Sequence, residues 1–161
     1  MNDKLDRQTL QKHLAQLPVT HPERRAAVVP LMQSIQAERG HLDDRGVEEV
    51  AQVTGLSTTE VEELATFYSL IYRHPAGRHV LRVCDSLCCS LQGADRLLEA
   101  AEQYSSVSLG KISPDGAFSV LPSICLGLCD QAPAALLDGE AVGPLNEAAL
   151  QVLLRRLQEV D

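Results

Sequence analysis

His79-Val-Leu-Arg-Val-Cys84-Asp-Ser-Leu-Cys-Cys89 decides how this chain is read. Residues 79–83 alternate and are rich in β-branched side chains, which marks a strand, and the strand runs directly into three cysteines. A second stretch repeats the arrangement: Phe118-Ser-Val-Leu-Pro-Ser-Ile124 reads as a strand that leads into Cys125-Leu-Gly-Leu-Cys129. Between the two, residues 94–104 have helical spacing with Leu97, Leu98 and Ala101 inward, and Pro114-Asp-Gly is a turn signal. Downstream, residues 134–137 and 140–143 flank Asp138-Gly139, which predicts a hairpin about a tight turn. Residues 146–160 close the chain as an amphipathic helix through Ala149, Leu150, Leu153, Leu154 and Leu157. These elements predict a small α/β domain of about 80 residues.

Upstream of His79 the periodicity is helical throughout. Residues 6–17 place Leu10, Leu14 and Leu17 on one face, and Pro18 to Pro22 break the pattern. Residues 23–39 carry Ala27, Val28, Leu31 and Ile35, with Gly40 as the cap. Asp43 or Asp44 caps a helix through Val53 that Gly55 ends. Ser57 with Glu60 forms a capping box at the head of a helix carrying Val61, Leu64, Ala65, Tyr68 and Ile71. His74-Pro-Ala-Gly77 then reads as a turn or linker. The expected fold class is α+β, a helical bundle over residues 1–76 followed by an α/β domain over residues 77–161.

Composition narrows the function. The chain has 161 residues and a formal net charge of -8. Phosphate neutralisation needs clustered Lys and Arg, so nucleic acid is not the expected partner. Residues 47–64 have the outline of a helix-turn-helix with Gly55 in the turn, but residues 43–66 hold seven acids against one base. A recognition helix of that charge would repel phosphates, and the segment reads as a packed helical pair with a solvated acidic face. Aromatic residues make up 3% and Trp is absent, so no stacking platform for bases exists. No apolar run has the length of a membrane span, and residues 1–10 lack the apolar core of a signal peptide. The expected location is the reducing cytoplasm, where clustered cysteines bind metal or do redox work more often than they form disulfides.

All five cysteines lie between Cys84 and Cys129. Taken as Cys84 and Cys89, the first group has Cys-x4-Cys spacing. Cys125 and Cys129 have Cys-x3-Cys, and 35 residues lie between the groups. Two strand ends on one edge of a sheet can bring four sulfurs together, and four thiolates need a cation or a cluster to hold them. Structural zinc prefers tight Cys-x2-Cys knuckles, and thioredoxin-type dithiols use the same spacing. Neither is present. A [2Fe–2S] rhomb tolerates wider loops, so the spacing favours it and leaves zinc as the alternative. One of the adjacent Cys88 and Cys89 is expected to be a buried apolar residue, since neighbours in a loop do not easily face the same iron pair. Gly93 and Gly127 are expected to allow close backbone approach, and Asp85 and Asp130, each next to a cysteine, to keep the potential low. None of His13, His21, His41, His74 and His79 pairs with another at helical spacing, so each is expected at the surface or as a cap. No catalytic acid, base or nucleophile set is legible, and no Gly-x-Gly-x-x-Gly follows a strand.

Four stretches together carry a resemblance: Ala65-Thr-Phe-Tyr-Ser, Pro75-Ala-Gly-Arg-His-Val-Leu-Arg-Val-Cys84-Asp-Ser-Leu-Cys-Cys89, Pro114-Asp-Gly-Ala-Phe-Ser-Val-Leu-Pro, and Cys125-Leu-Gly-Leu-Cys-Asp-Gln-Ala-Pro133. They resemble the 24 kDa subunit family of respiratory complex I, the E subunit of NADH:quinone oxidoreductase in bacteria, from about Glu23 to the C-terminus. The resemblance implies a thioredoxin-like [2Fe–2S] ferredoxin domain behind the helical bundle. It implies one low-potential cluster held by Cys84, Cys89, Cys125 and Cys129. It also implies a flavoprotein partner that carries FMN and the NADH site; the helical half, which has no cofactor features, is expected to dock that partner. The chain would move electrons without activity of its own. It would be peripheral to the cytoplasmic face of the membrane through its complex, with no membrane insertion. The same module occurs in NAD-dependent formate dehydrogenases and NAD-reducing hydrogenases. Cys88 and Leu128 depart from what relatives often carry, and Leu128 would keep water from the cluster.

Overall fold

The structure is a computed structural model and describes residues 7–159. The expected helix bounds Asp6 and Val160 and residues 1–6 lie outside the described residues, as do the side chains of Leu10 and His13. By its contacts the chain divides into two compact units, Met1–Pro75 and Ala76–Asp161.

The first unit is helical: α1 (Arg7–Ala15), α2 (Pro22–Ala26), α3 (Val28–Arg39), α4 (Asp44–Thr54) and α5 (Thr58–Phe67). Its ends follow local chemistry. The Asp43 carboxylate accepts from the Gly46 amide at 2.7 Å and caps α4, and Gly55 ends it with φ 75°. Ser57 and Glu60 bond reciprocally at the head of α5, with the Ser57 amide donating to Glu60 at 2.9 Å and the Glu60 amide to the Ser57 hydroxyl at 3.2 Å. His21 caps α2, its Nδ1 accepting from the Glu23 amide at 3.3 Å.

Two helices differ from the sequence reading. Residues 23–39 form two helices, broken at Ala27. Pro30 has no N–H for the Ala26 carbonyl and its ring would crowd that group, so the helix restarts with Pro30 in the first turn of α3. α5 stops at Phe67 rather than continuing to Ile71, and Tyr68 is extended. Gln36 of α3 supplies what a further turn would have supplied, donating to the Leu70 carbonyl at 2.9 Å and accepting from the Tyr72 amide. The core of this unit is Leu14, Leu31, Met32, Ile35, Leu42, Val50 and Val61.

The second unit holds β1 (His79–Cys84), α6 (Leu87–Leu91), α7 (Ala94–Ser105), β2 (Phe118–Ser123), a 3-10 turn (Cys129–Gln131), β3 (Ala135–Leu137), β4 (Glu140–Val142) and α8 (Glu147–Glu159). The sheet order is β2-β1-β3-β4, with β1 parallel to β2 and antiparallel to β3. β1 is central and buried at every position after His79, so it reads as a continuous apolar run interrupted only by Arg82. The hairpin turns at Asp138 and Gly139, with φ 52° and 89°, the paired left-handed conformation of a type I′ turn. Asp138 secures the turn to β1, accepting from the Val80 amide at 2.8 Å while its other oxygen lies 2.7 Å from His79 Nδ1. α7 and α8 pack on each other over a core of Leu81, Val83, Ala101, Phe118, Val120, Leu150 and Leu154. The architecture is thus α+β with a mixed four-stranded sheet. No helix among the described residues is long and apolar enough to cross a membrane.

Candidate metal centre

β1 and β2 run parallel and in register, with Cys84 opposite Ser123. The chains that leave them therefore emerge together. The Asp85 amide donates to the Ser123 carbonyl at 3.0 Å, and the Cys84 amide donates to the Ala134 carbonyl at 3.0 Å. Three backbone segments, 84–93, 123–129 and 132–134, meet at one end of the sheet, and every cysteine of the chain is on the first two.

Cys84 ends β1 and is buried. Cys88 and Cys89 lie on the short helix α6, Cys89 buried and Cys88 exposed. Cys125 follows β2 and Cys129 opens the 3-10 turn, both exposed, with their Sγ atoms 3.9 Å apart. All five are free thiols. Cys84 and Cys89 form a buried cluster with Ala94 and Ala134, against which Leu126, Leu128 and Ala132 pack. Leu128 thus packs against the cluster that holds the two buried cysteines. The expectation that one of the adjacent cysteines is a buried apolar residue divides differently here. The buried member is Cys89, clustered with Cys84, and Cys88 is at the surface beside Cys129. The turn of α6 separates them, since successive helical residues point about 100° apart.

The inner and outer thiols stand in different electrostatic settings. Burial works to raise the Cys84 thiol, yet the Ser86 and Leu126 amides, with Cys89 and the Ser86 hydroxyl, outweigh it and hold Cys84 below its ordinary value. Burial raises Cys89, against which the Ala134 amide acts. Hydrogen bonding to Cys125 and then to Cys88, followed by the charge those thiols carry, pushes Cys129 up to about 11. Four anionic sulfurs at this place thus repel one another unless positive charge is supplied.

Among the described residues no three His, Cys, Asp or Glu side chains converge as ligands of a single ion. The thiols fall instead into an inner pair, Cys84 with Cys89, and an outer pair, Cys125 with Cys129. A [2Fe–2S] rhomb asks for two cysteines at each of two irons, and soft thiolate donors with backbone amides aimed at sulfur suit it. The residues fit such a cluster.

Several contributors leave no mark in the sequence. The α6 helix is one, because Leu-Cys-Cys-Ser-Leu is too short to show a period. The Ser86, Leu126 and Ala134 amides carry no side-chain signal. Gly93 and Gly127 have φ of 95° and 78° with open space where a Cβ would stand, so their requirement within the protein is conformational. In this unit the crowded glycines are Gly77, against the Phe118 backbone, and Gly143, against the Gln131 carbonyl.

A fold of this kind ending in a paired-cysteine site defines an iron–sulfur ferredoxin of the thioredoxin-like class. The chain belongs to the thioredoxin-like [2Fe–2S] ferredoxin family, whose model matches residues 11–158. Its curated relatives include the NADH-quinone oxidoreductase E subunit of Pseudomonas aeruginosa, 37% identical over 81% of this chain and 78% of the relative. The protein of that name from Escherichia coli (strain K12) is 38% identical over 82% of this chain and 80% of its own. In Rhizobium meliloti (strain 1021), the E subunit numbered 2 is 36% identical over 95% of this chain and 91% of the relative. Among solved structures, an NAD+-reducing [NiFe]-hydrogenase in the H2-reduced state superposes with a TM-score of 0.70 at 25% identity. That match covers 89% of this chain, which spans 23% of the hydrogenase chain.

Proposed function

We propose that this protein is the electron-transfer subunit of an NADH:quinone oxidoreductase, holding one [2Fe–2S] cluster through Cys84, Cys89, Cys125 and Cys129. The observation that supports it best is the meeting of two thiol pairs at the adjoining ends of β1 and β2, in a chain 36–38% identical to proteins of that name. Bound there, the cluster supplies a one-electron carrier.

The residues of the chain do the rest. Cys84 and Cys89 anchor the inner side in an apolar setting closed by Leu126 and Leu128. The Ser86, Leu126 and Ala134 amides hold the charge of the inner sulfurs. Cys125 and Cys129 hold the outer side at the surface, where a redox partner can approach. That partner is a flavoprotein subunit carrying FMN and the NADH site. The helical unit, which has no cofactor features, docks it. The assembly lies at the cytoplasmic face of the membrane, and this chain has no activity alone.

A second reading is supported by the hydrogenase superposition: the equivalent subunit of an NAD-reducing hydrogenase or formate dehydrogenase. Genes for quinone-linked membrane subunits beside this one support the first reading. Nickel–iron or molybdenum enzyme genes support the second.

The decisive measurement is on the purified full-length protein. A red-brown protein with about two irons and two acid-labile sulfides per chain, and a rhombic EPR signal after dithionite reduction, is the expected result. A colourless protein containing zinc overturns it.

A further inference from the structure

Cys88 is the one thiol that the two pairs leave over, and its place is specific. It is solvent-exposed on α6, and together with Leu91, Gln92, Cys129, Asp130 and Ala132 it lines a single surface hollow. Within that hollow it neighbours Cys129. Cys129 in turn is 3.9 Å from Cys125, sulfur to sulfur. Cys88 therefore adjoins the outer pair on the exposed face, where two thiols are needed. The buried face has only Cys84 and Cys89. The spare donor is beside the outer pair alone, and it is of the same soft type as the group it adjoins.

Resting on the reading of the chain as a [2Fe–2S] protein, we propose that Cys88 is a stand-in ligand for Cys129, able to take its place on the outer iron. The exchange is balanced without an oxidant or a reductant. The iron–sulfur bond to Cys129 breaks and one to Cys88 forms, the Cys88 thiol gives up its proton, and the released Cys129 sulfur takes one up. No electron changes hands. Cys88 is an alternative rather than an additional ligand, because each iron of the rhomb takes two cysteines. The arrangement protects the exposed side, where a surface cysteine is open to oxidation or alkylation and the loss of one ligand would otherwise free an iron.

The test uses the full chain, reconstituted anaerobically with ferrous iron and sulfide. Variants Cys88→Ala, Cys129→Ala, the double variant Cys88→Ala/Cys129→Ala, and Cys84→Ala are compared by iron and sulfide content and by EPR of the reduced protein. Cys88 and Cys129 are both exposed, so neither change opens a core cavity, and far-UV circular dichroism checks the fold. The expected result is a full cluster with an unchanged spectrum in Cys88→Ala, and a full cluster with shifted g values in Cys129→Ala. The double variant and Cys84→Ala lose most of their iron. A Cys129→Ala protein that loses as much iron as the double variant overturns the proposal. A double variant that keeps its cluster overturns it too. Failure of the unsubstituted protein to take a two-iron cluster removes the underlying reading, and is told apart because it precedes any substitution.

Discussion

Cys84 stands opposite Ser123 in the parallel pairing of β1 with β2, and the next amide along, that of Asp85, closes on the Ser123 carbonyl at 3.0 Å. This one register brings the two cysteine loops to the same end of the sheet. A shift of one residue would turn the Cys84 side chain to the other face. Features that hold β1 against β2 thus also hold the inner sulfurs in place.

Gly77 is such a feature. Its amide donates to the Ser119 hydroxyl at 3.0 Å, and a Cβ there would fall 2.3 Å from the Phe118 carbonyl carbon and 2.4 Å from its Cα. Backbone cannot yield as a side chain can. Gly77→Ala is expected to cost about 3 kcal/mol or more. Gly127→Ala meets open space and only a left-handed φ, and is expected to cost about 1–2 kcal/mol. Gly127→Asn is expected to be milder still, since Asn tolerates that region. Thermal melts of the three variants check the order, and equal costs for Gly77→Ala and Gly127→Ala would contradict it.

Acid should weaken the helical unit partly through Asp43. The Gly46 amide holds its carboxyl below the ordinary carboxylate range, burial opposing and Arg39 assisting. A group lowered on folding stabilises above its unfolded value and loses that contribution as pH falls through the folded one. Urea midpoints of the full chain should therefore fall between about pH 5 and pH 2. Asp43→Asn keeps a capping side chain but cannot titrate, so its midpoint should fall less over the same interval. Parallel curves for the two proteins would show that Asp43 is not a contributor.

The two units have separate cores. Leu31 is 1% exposed among helical neighbours, and Leu150 is fully buried against the sheet unit. Truncating either to Ala is expected to cost about 2–5 kcal/mol. Leu31→Ala should speed amide exchange in α3 by roughly two orders of magnitude and leave β1 unchanged, and Leu150→Ala should do the reverse. Equal acceleration in both elements by either variant would mean that the units open as one.

Asp85 and Asp130 are exposed and follow Cys84 and Cys129 directly. Each negative charge opposes the addition of an electron, so Asp85→Asn and Asp130→Asn should raise the midpoint potential by roughly 10–40 mV, and less at high salt because water and ions screen both. A potential that does not rise in either variant rules the charges out as a lever.

What the sequence makes legible is whatever neighbouring residues determine. Asp43, Gly55, Ser57 and Glu60 mark helix ends through bonds spanning three or four residues, and the hairpin at Asp138-Gly139 follows from the conformation its residues tolerate. What stays hidden depends on partners far along the chain. The early end of α5 needs Gln36, more than thirty residues upstream, to satisfy Leu70 and Tyr72. Pro30 is a local signal for the break at Ala27 that the apolar spacing conceals. At the site, strand and cysteine positions are legible, but the division of sulfurs into inner and outer pairs depends on the register of β1 with β2 and on the turn of α6. Neither leaves a mark in spacing.

The parallel pairing also dictates a sequence of events in time. β1 and β2 join residues about forty positions apart, a contact that forms slowly compared with a helix turn. The core beneath them draws Leu150 and Leu154 from α8, so it closes only after α8 has been made. The sheet end that gathers the cysteines is therefore fixed in place only once α8 has packed beneath it.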